Sequence, residues 1–156
     1  MAEAGTLRPI VASGTVLGIG LGGFIDGIVL HQIFQAHSML SAKVPLDSMD
    51  NMRTNMTADG LFHAVMLGFT IVGVFMLFNA GKRGRAIHSE SALVWSMIMG
   101  WGIFNVVEGL IDHHLLDLHH VVERLGVSVW DWLFLGVSVV MVISGWFMTR
   151  RDRLLK

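Results

Sequence analysis

EGLIDHHLLDLHH, Glu108–His120, closes an apolar run that begins near Ala92 and loads its last turns with four histidines and three carboxylates. On an α-helix, spacings of four, seven and eleven return to nearly the same face, so Glu108, Asp112 and His119 share a fan of roughly 40°. A second stripe, about 100° round the same helix, carries Gly109, His113, Leu116 and His120, whereas His114 and Asp117 point the other way. The stretch predicts a helix that leaves an apolar medium with ligand-type side chains on its inward faces and two wetter groups outside.

The surrounding composition identifies that medium as lipid. The chain of 156 residues is 53% hydrophobic and 15% charged, and its mean hydropathy is +0.63. Four apolar segments, about Ile10–Leu30, Gly60–Asn79, Ala92–Ile111 and Trp132–Thr149, each approach the ~20 helical residues needed to cross a hydrocarbon core. The expected fold is an all-α antiparallel four-helix transmembrane bundle forming one domain over residues 1–156. Its spans fall at about 10–37, 58–79, 91–121 and 130–149, and the third helix is expected to run beyond the outer membrane surface, because no breaker precedes Gly126. A net charge of −1 without a basic tract excludes nucleic acid as a natural partner. With no cysteine, disulfides, thiolate ligands and thiol nucleophiles are excluded as well. The amino terminus carries Glu3 and lacks an Ala-x-Ala site, so it reads as a retained first span rather than a leader.

Gly14, Gly18 and Gly22, then Gly23 and Gly27, repeat every fourth residue in the first span, a spacing that lets membrane helices approach closely. That helix is expected at the centre of the bundle. Basic residues gather at Lys82–Arg85 and in Arg150–Lys156, which places both termini in the cytoplasm and the His-rich end in the periplasm or exterior. Counted from the cytoplasmic side, Asp26 and His31, Asp59 and His63, Glu108 and Asp112, and Asp131 reach one depth on four separate helices. Ionisable groups inside a membrane are costly and mark function by default.

Histidine with carboxylate is the donor set of zinc, iron, manganese and Cu(II), and helical bundles build such sites from facing helices. The candidate ligands are His31, His37, Asp59, His63, Glu108, Asp112, His113, His119 and His120, with Asp26, Gln35, Asn105 and Asp131 around them. Glu-x-x-His, the carboxylate-bridged di-iron pattern, is absent. Met39, Met49, Met52 and Met56 in the first connection add soft donors beside the histidines, so copper is favoured over zinc or iron. Bland readings exist for each part: Asp59 as a helix-start residue, Gln32, Gln35 and Asn105 as interhelical hydrogen-bond partners, and the methionines as packing. The leading expectation is a membrane metal-binding protein that handles copper or supports a larger membrane metalloenzyme. A rival is a metal-dependent membrane enzyme with Glu108 or Asp112 as general base. A further alternative is a subunit without metal, structural or proton-relaying, although the cytoplasmic halves of the spans offer a relay no continuation. Haem ligation ranks third, because its histidines would belong at mid-depth. GIGLGG, Gly18–Gly23, lies inside an apolar span and is not a dinucleotide fingerprint. The expected surroundings are lipid, with a homo-oligomer or larger membrane complex as partner.

Three segments, GFIDGIVLHQIFQAH (Gly23–His37), ADGLFHA (Ala58–Ala64) and FNVVEGLIDHHLLDLHHV (Phe104–Val121), resemble a family of small bacterial and archaeal membrane proteins known only as a domain of unknown function. The resemblance extends over all four spans. It implies a four-span protein whose polar positions are Asp26, His31, His37, Asp59, His63, Glu108, Asp112, His113, His119, His120 and Asp131. The chain departs from the family pattern at Ser38, where many relatives carry a second histidine.

Overall fold

A computed structural model describes residues 7–82 and 89–154. The basic turn at 83–88, including His88, and the last residues of the basic tail lie outside the described residues. Four helices are each long and apolar enough to cross a membrane, and they pack together. α1 is Arg8–Ile25, with Pro9 in its first turn, where the missing N–H costs nothing. α2 is Met49–Lys82 and α4 is Val129–Leu154. α3 is Glu90–Glu108, started by Ser89, whose side chain accepts from the Ala92 N–H.

α1 and α3 do not end as α-helices. Each widens into a π-helical segment, Asp26–Ile33 after α1 and Gly109–Leu115 after α3. Each segment then closes in the same way. Phe34 N–H and Ala36 N–H reach back to Val29 O and Leu30 O, while Leu116 N–H and Leu118 N–H reach back to Ile111 O and Asp112 O. Gln35 and Asp117, at φ 50° and 54°, complete the two turns. The helices expected to reach 37 and 121 therefore stop at Ile33 and Leu115, and His37, His119 and His120 lie on the chain that folds back. The end of the third helix and the assignment of His119 and His120 to its stripes are corrected accordingly. α2 starts earlier than expected, at Met49, within what reads as a loop.

α1 and α3 form the centre: half of the most apolar window of α1 is buried and 39% of that of α3, against 11% for α2 and 22% for α4. The reason is glycine. A Cβ on Gly18 would overlap the Met97 carbonyl, and one on Gly100 would overlap the Thr15 carbonyl. The two backbones touch, an approach only glycine permits. α2 and α4 flank this pair. Leu17 meets Gly73, Gly23 meets Met66 and Gly27 meets His63, so contacts descend α2 as α1 ascends. α4 stands to α3 in the same relation, through Gly145 on Met99 and Gly102 on Ser138. The ends of α1 and α3 and the starts of α2 and α4 thus meet at one end of the bundle, where both turns carry their histidines.

Candidate metal centre

The π segments decide which side chains meet. Their i→i+5 bonding brings residues five apart onto one face, which an α-helix does not do. Asp26 and His31 are five apart, as are Glu108 and His113. His113 Nε2 lies 2.8 Å from Glu108 Oε1, and His31 Nε2 lies 3.3 Å from Asp26 Oδ2. The flanking helices supply a second carboxylate behind each ring: Asp59 Oδ1 accepts from His31 Nδ1 at 2.9 Å, and Asp131 Oδ1 stands 3.1 Å from His113 Nδ1. Asp59 also accepts from the Met39 N–H, and Asp131 from the N–H groups of Val121 and Ser128. All of these carboxylates and both rings are buried.

Between the two pairs lie His37 and His119, stacked with centroids 4.5 Å apart and planes 11° from parallel. Each is oriented by a carbonyl of the opposite turn. His37 Nδ1 donates to Val121 O at 3.2 Å, and His119 Nδ1 donates to Met39 O at 3.1 Å. A carbonyl only accepts, so the proton of each neutral ring sits on Nδ1 and Nε2 presents a lone pair. His37 Nε2 is buried without a partner. His119 Nε2 faces Glu108 Oε1 at 2.8 Å, and two acceptors at that distance require a proton or a metal ion between them. Glu108 Oε2 is buried and unpaired as well. Two groups converge closely enough to hold an ion: His31, His37 and His119, and Glu108, His113 and His119, each with ligand atoms within 4.8 Å of one another.

Burial, reinforced by the positive charge that His119 and His31 can carry, pushes the His37 pKa down from 6.5 to about 3, so this ring is neutral near pH 7. Outside the cluster, Lys43 at 2.9 Å holds the exposed Asp117 below the usual carboxylate range.

The remaining predicted residues are placed as follows. His63 stands against Gly27 with Nδ1 on the Asp59 carbonyl and a buried, unpartnered Nε2, at the edge of the first pair. His120 is buried between Asp117, at 3.0 Å, and Asp131, at 3.8 Å. Asp112 is half-buried and stands outside both ligand groups. Its predicted sharing of a face with His119 fails because His119 is not on the helix. Gln35 is exposed in the turn and does not support the site. Asn105 is buried one turn before Gly109, with its Oδ1 unpartnered. His114 donates to the Gly109 carbonyl and packs on Trp132 with its Nε2 buried and unpartnered, so it is less wet than the outward stripe predicts. Met49, Met52 and Met56 stand on the first turns of α2, not in a loop, and at 65%, 43% and 69% exposed they do not converge on the histidines.

Below Glu108 a groove of about 460 Å³ opens between α1, α2 and α3. Phe62, Met66, Phe104 and Val107 line it, and Glu108 and Asp112 form its polar end.

The supporting residues are more tightly involved than their sequence positions suggest. Asp26 and Asp131 touch histidine rings directly. A sequence signal for this exists in Asp26–His37 and Glu108–His119, which share the order carboxylate, glycine, then histidines five and eleven residues on. No curated protein and no solved structure matches the chain. The family model described as "Predicted membrane protein (DUF2243)" matches residues 13–152, nearly the whole chain, and this protein therefore belongs to that family of membrane proteins.

Proposed function

We propose that this is a membrane metal-binding protein whose His/carboxylate cluster holds a first-row transition metal at the extracytoplasmic end of the bundle. One observation carries the reading: His37 and His119 are locked by backbone carbonyls with their Nε2 lone pairs inward, and the His119 lone pair faces a carboxylate oxygen at 2.8 Å. Metal-ligating histidines are characteristically held this way, with the other ring nitrogen donating to a carbonyl or carboxylate. Without metal, the 2.8 Å contact between His119 Nε2 and Glu108 Oε1 needs a proton shared between the two groups. Nitrogen and carboxylate oxygen are the donors, and the exposed α2 methionines lend Cu(I) no support, so Zn(II) or Fe(II) suits the cluster better than copper. Sequestration or delivery of such an ion at the membrane surface, alone or in support of a larger membrane metalloenzyme, is the proposed role.

A metal-dependent membrane enzyme is the second reading, and the groove favours it. An apolar groove with Glu108 and Asp112 at its polar end offers a lipid-dissolved molecule a place beside the cluster, where Asp112 could act as a base. Elemental analysis of protein purified without a histidine tag tests the metal reading. Bound zinc or iron in the wild type, reduced in Glu108→Gln and His63→Ala, supports it; equal and negligible metal in all three overturns it.

A further inference from the structure

The two halves of the chain repeat each other. Shifting by 82 residues carries Asp26, Gly27, His31 and His37 onto Glu108, Gly109, His113 and His119. The same shift carries the positive-φ Gln35 onto Asp117, and both back-turning hydrogen bonds of the first π segment onto those of the second. Contacts between the halves are reciprocal. Gly18 sits on the Met97 carbonyl and Gly100 on that of Thr15, while His37 donates to Val121 and His119 to Met39, the counterpart of Val121. On the flanking helices the shift is 72. Asp59 and Phe62 behind His31 become Asp131 and Phe134 behind His113, with ring centroids 6.1 and 5.6 Å apart in the two histidine–phenylalanine pairs. A pseudo-twofold axis therefore passes between the stacked rings of His37 and His119.

This symmetry determines how ligands divide, given the metal reading above, on which the inference rests. We infer that the protein binds two transition-metal ions, one per half, each held by the carboxylate and two histidines of an Asp/Glu-x4-His-x5-His segment. Asp26, His31 and His37 form the first set, and Glu108, His113 and His119 form the second. Glu108, His113 and His119 already converge as one group; in the other half His31 and His37 converge with His119, which stands between the two sets, and His31 lies 3.3 Å from Asp26. Each Nδ1 faces an oxygen of Asp59, Val121, Asp131 or Met39, leaving four Nε2 atoms for two ions. Two histidines and one carboxylate make a facial set that leaves positions open, the ligation of Zn(II) and non-haem Fe(II) sites. The halves differ at His63, whose counterpart is Leu135; its buried, unpartnered Nε2 lies against Gly27, next to Asp26 in the chain.

Titration of metal-free protein in detergent with Co(II), followed by its visible ligand-field absorption, tests the inference. The expected break is at two equivalents for the wild type, at one for Asp26→Asn and for Glu108→Gln, and no absorption for the double variant. Size-exclusion and helical circular dichroism report folding; if a carboxamide variant fails them, His31→Gln and His113→Gln take its place. Saturation at one equivalent, with either single variant abolishing the signal, overturns the two-ion arrangement but leaves the metal reading standing. Absence of any Co(II) signal from folded wild type overturns both.

Discussion

Asp59 shows how much one side chain settles at this site. Its Oδ1 accepts from both the His31 ring and the Met39 N–H, so it orients a ligand ring and anchors the turn that in turn orients His119. Asp59→Asn is expected to keep the fold and weaken Co(II) binding by about 10–100-fold, the usual effect of removing a carboxylate behind a metal-bound histidine. Asp117→Asn, on an exposed carboxylate paired with Lys43, is expected to leave the affinity unchanged. Competition with a chromophoric chelator measures both; equal affinities for wild type and Asp59→Asn would refute this role. His37 predicts a pH dependence. Its folded pKa, about 3, lies below its ordinary 6.5, so between these values the unfolded chain binds a proton that the folded chain refuses. Stability present above pH 6.5 is thus lost as pH falls toward 3. Thermal unfolding of the metal-free protein should shift downward over that window, and His37→Gln should flatten the dependence.

Helices and turns were legible in the sequence to different degrees. Four spans, the central α1 and the gathering of polar residues at one end all follow from apolar run length, glycine spacing and equal depth, signals that depend on composition alone. The ligand geometry did not follow, because it was read on an α-helical wheel. There Glu108 and His113 point about 140° apart, and Asp112 and His119 look like partners. The π segment brings Glu108 and His113 together, the turn after Leu115 takes His119 off the helix, and contacts from α2 and α4 hold the result: Asp59 and Asp131 meet both the rings and the amides that follow. The di-iron Glu-x-x-His spacing at i, i+3 is absent from the sequence, while carboxylate and histidine at i, i+5 occur twice, in Asp26–His31 and Glu108–His113. The glycine signal, by contrast, transferred directly and can be measured. Gly100→Ala places a methyl on the Thr15 carbonyl, backbone against backbone, and should destabilise the protein by about 1–3 kcal/mol or more. Gly68→Ala on the lipid-facing side of α2 meets nothing within 4 Å and should be neutral or slightly stabilising through helix propensity. Unequal shifts in thermal midpoint, with Gly100→Ala the lower, are expected.

The whole molecule is a central α1–α3 pair with an outer helix on each side, and among the described residues the buried histidine–carboxylate pairs all lie at one end. That polarity gives the proposed orientation a physical consequence, since an ion reaches the cluster only from the compartment that end faces. Lys82 and the carboxyl-terminal arginines Arg150 and Arg151 lie at the opposite end, where positive charge favours retention in the cytoplasm. The proposal therefore requires Leu46, in the connection between α1 and α2, to face outward and Arg151 inward; both are exposed. Because the chain has no cysteine, Leu46→Cys and Arg151→Cys each introduce a single thiol. A membrane-impermeant maleimide should label Leu46→Cys in intact cells and label Arg151→Cys only after permeabilisation. The opposite pattern would turn the cluster toward the cytosol, where it would draw on the intracellular metal pool, and would exclude an extracytoplasmic role while leaving the ligand geometry intact.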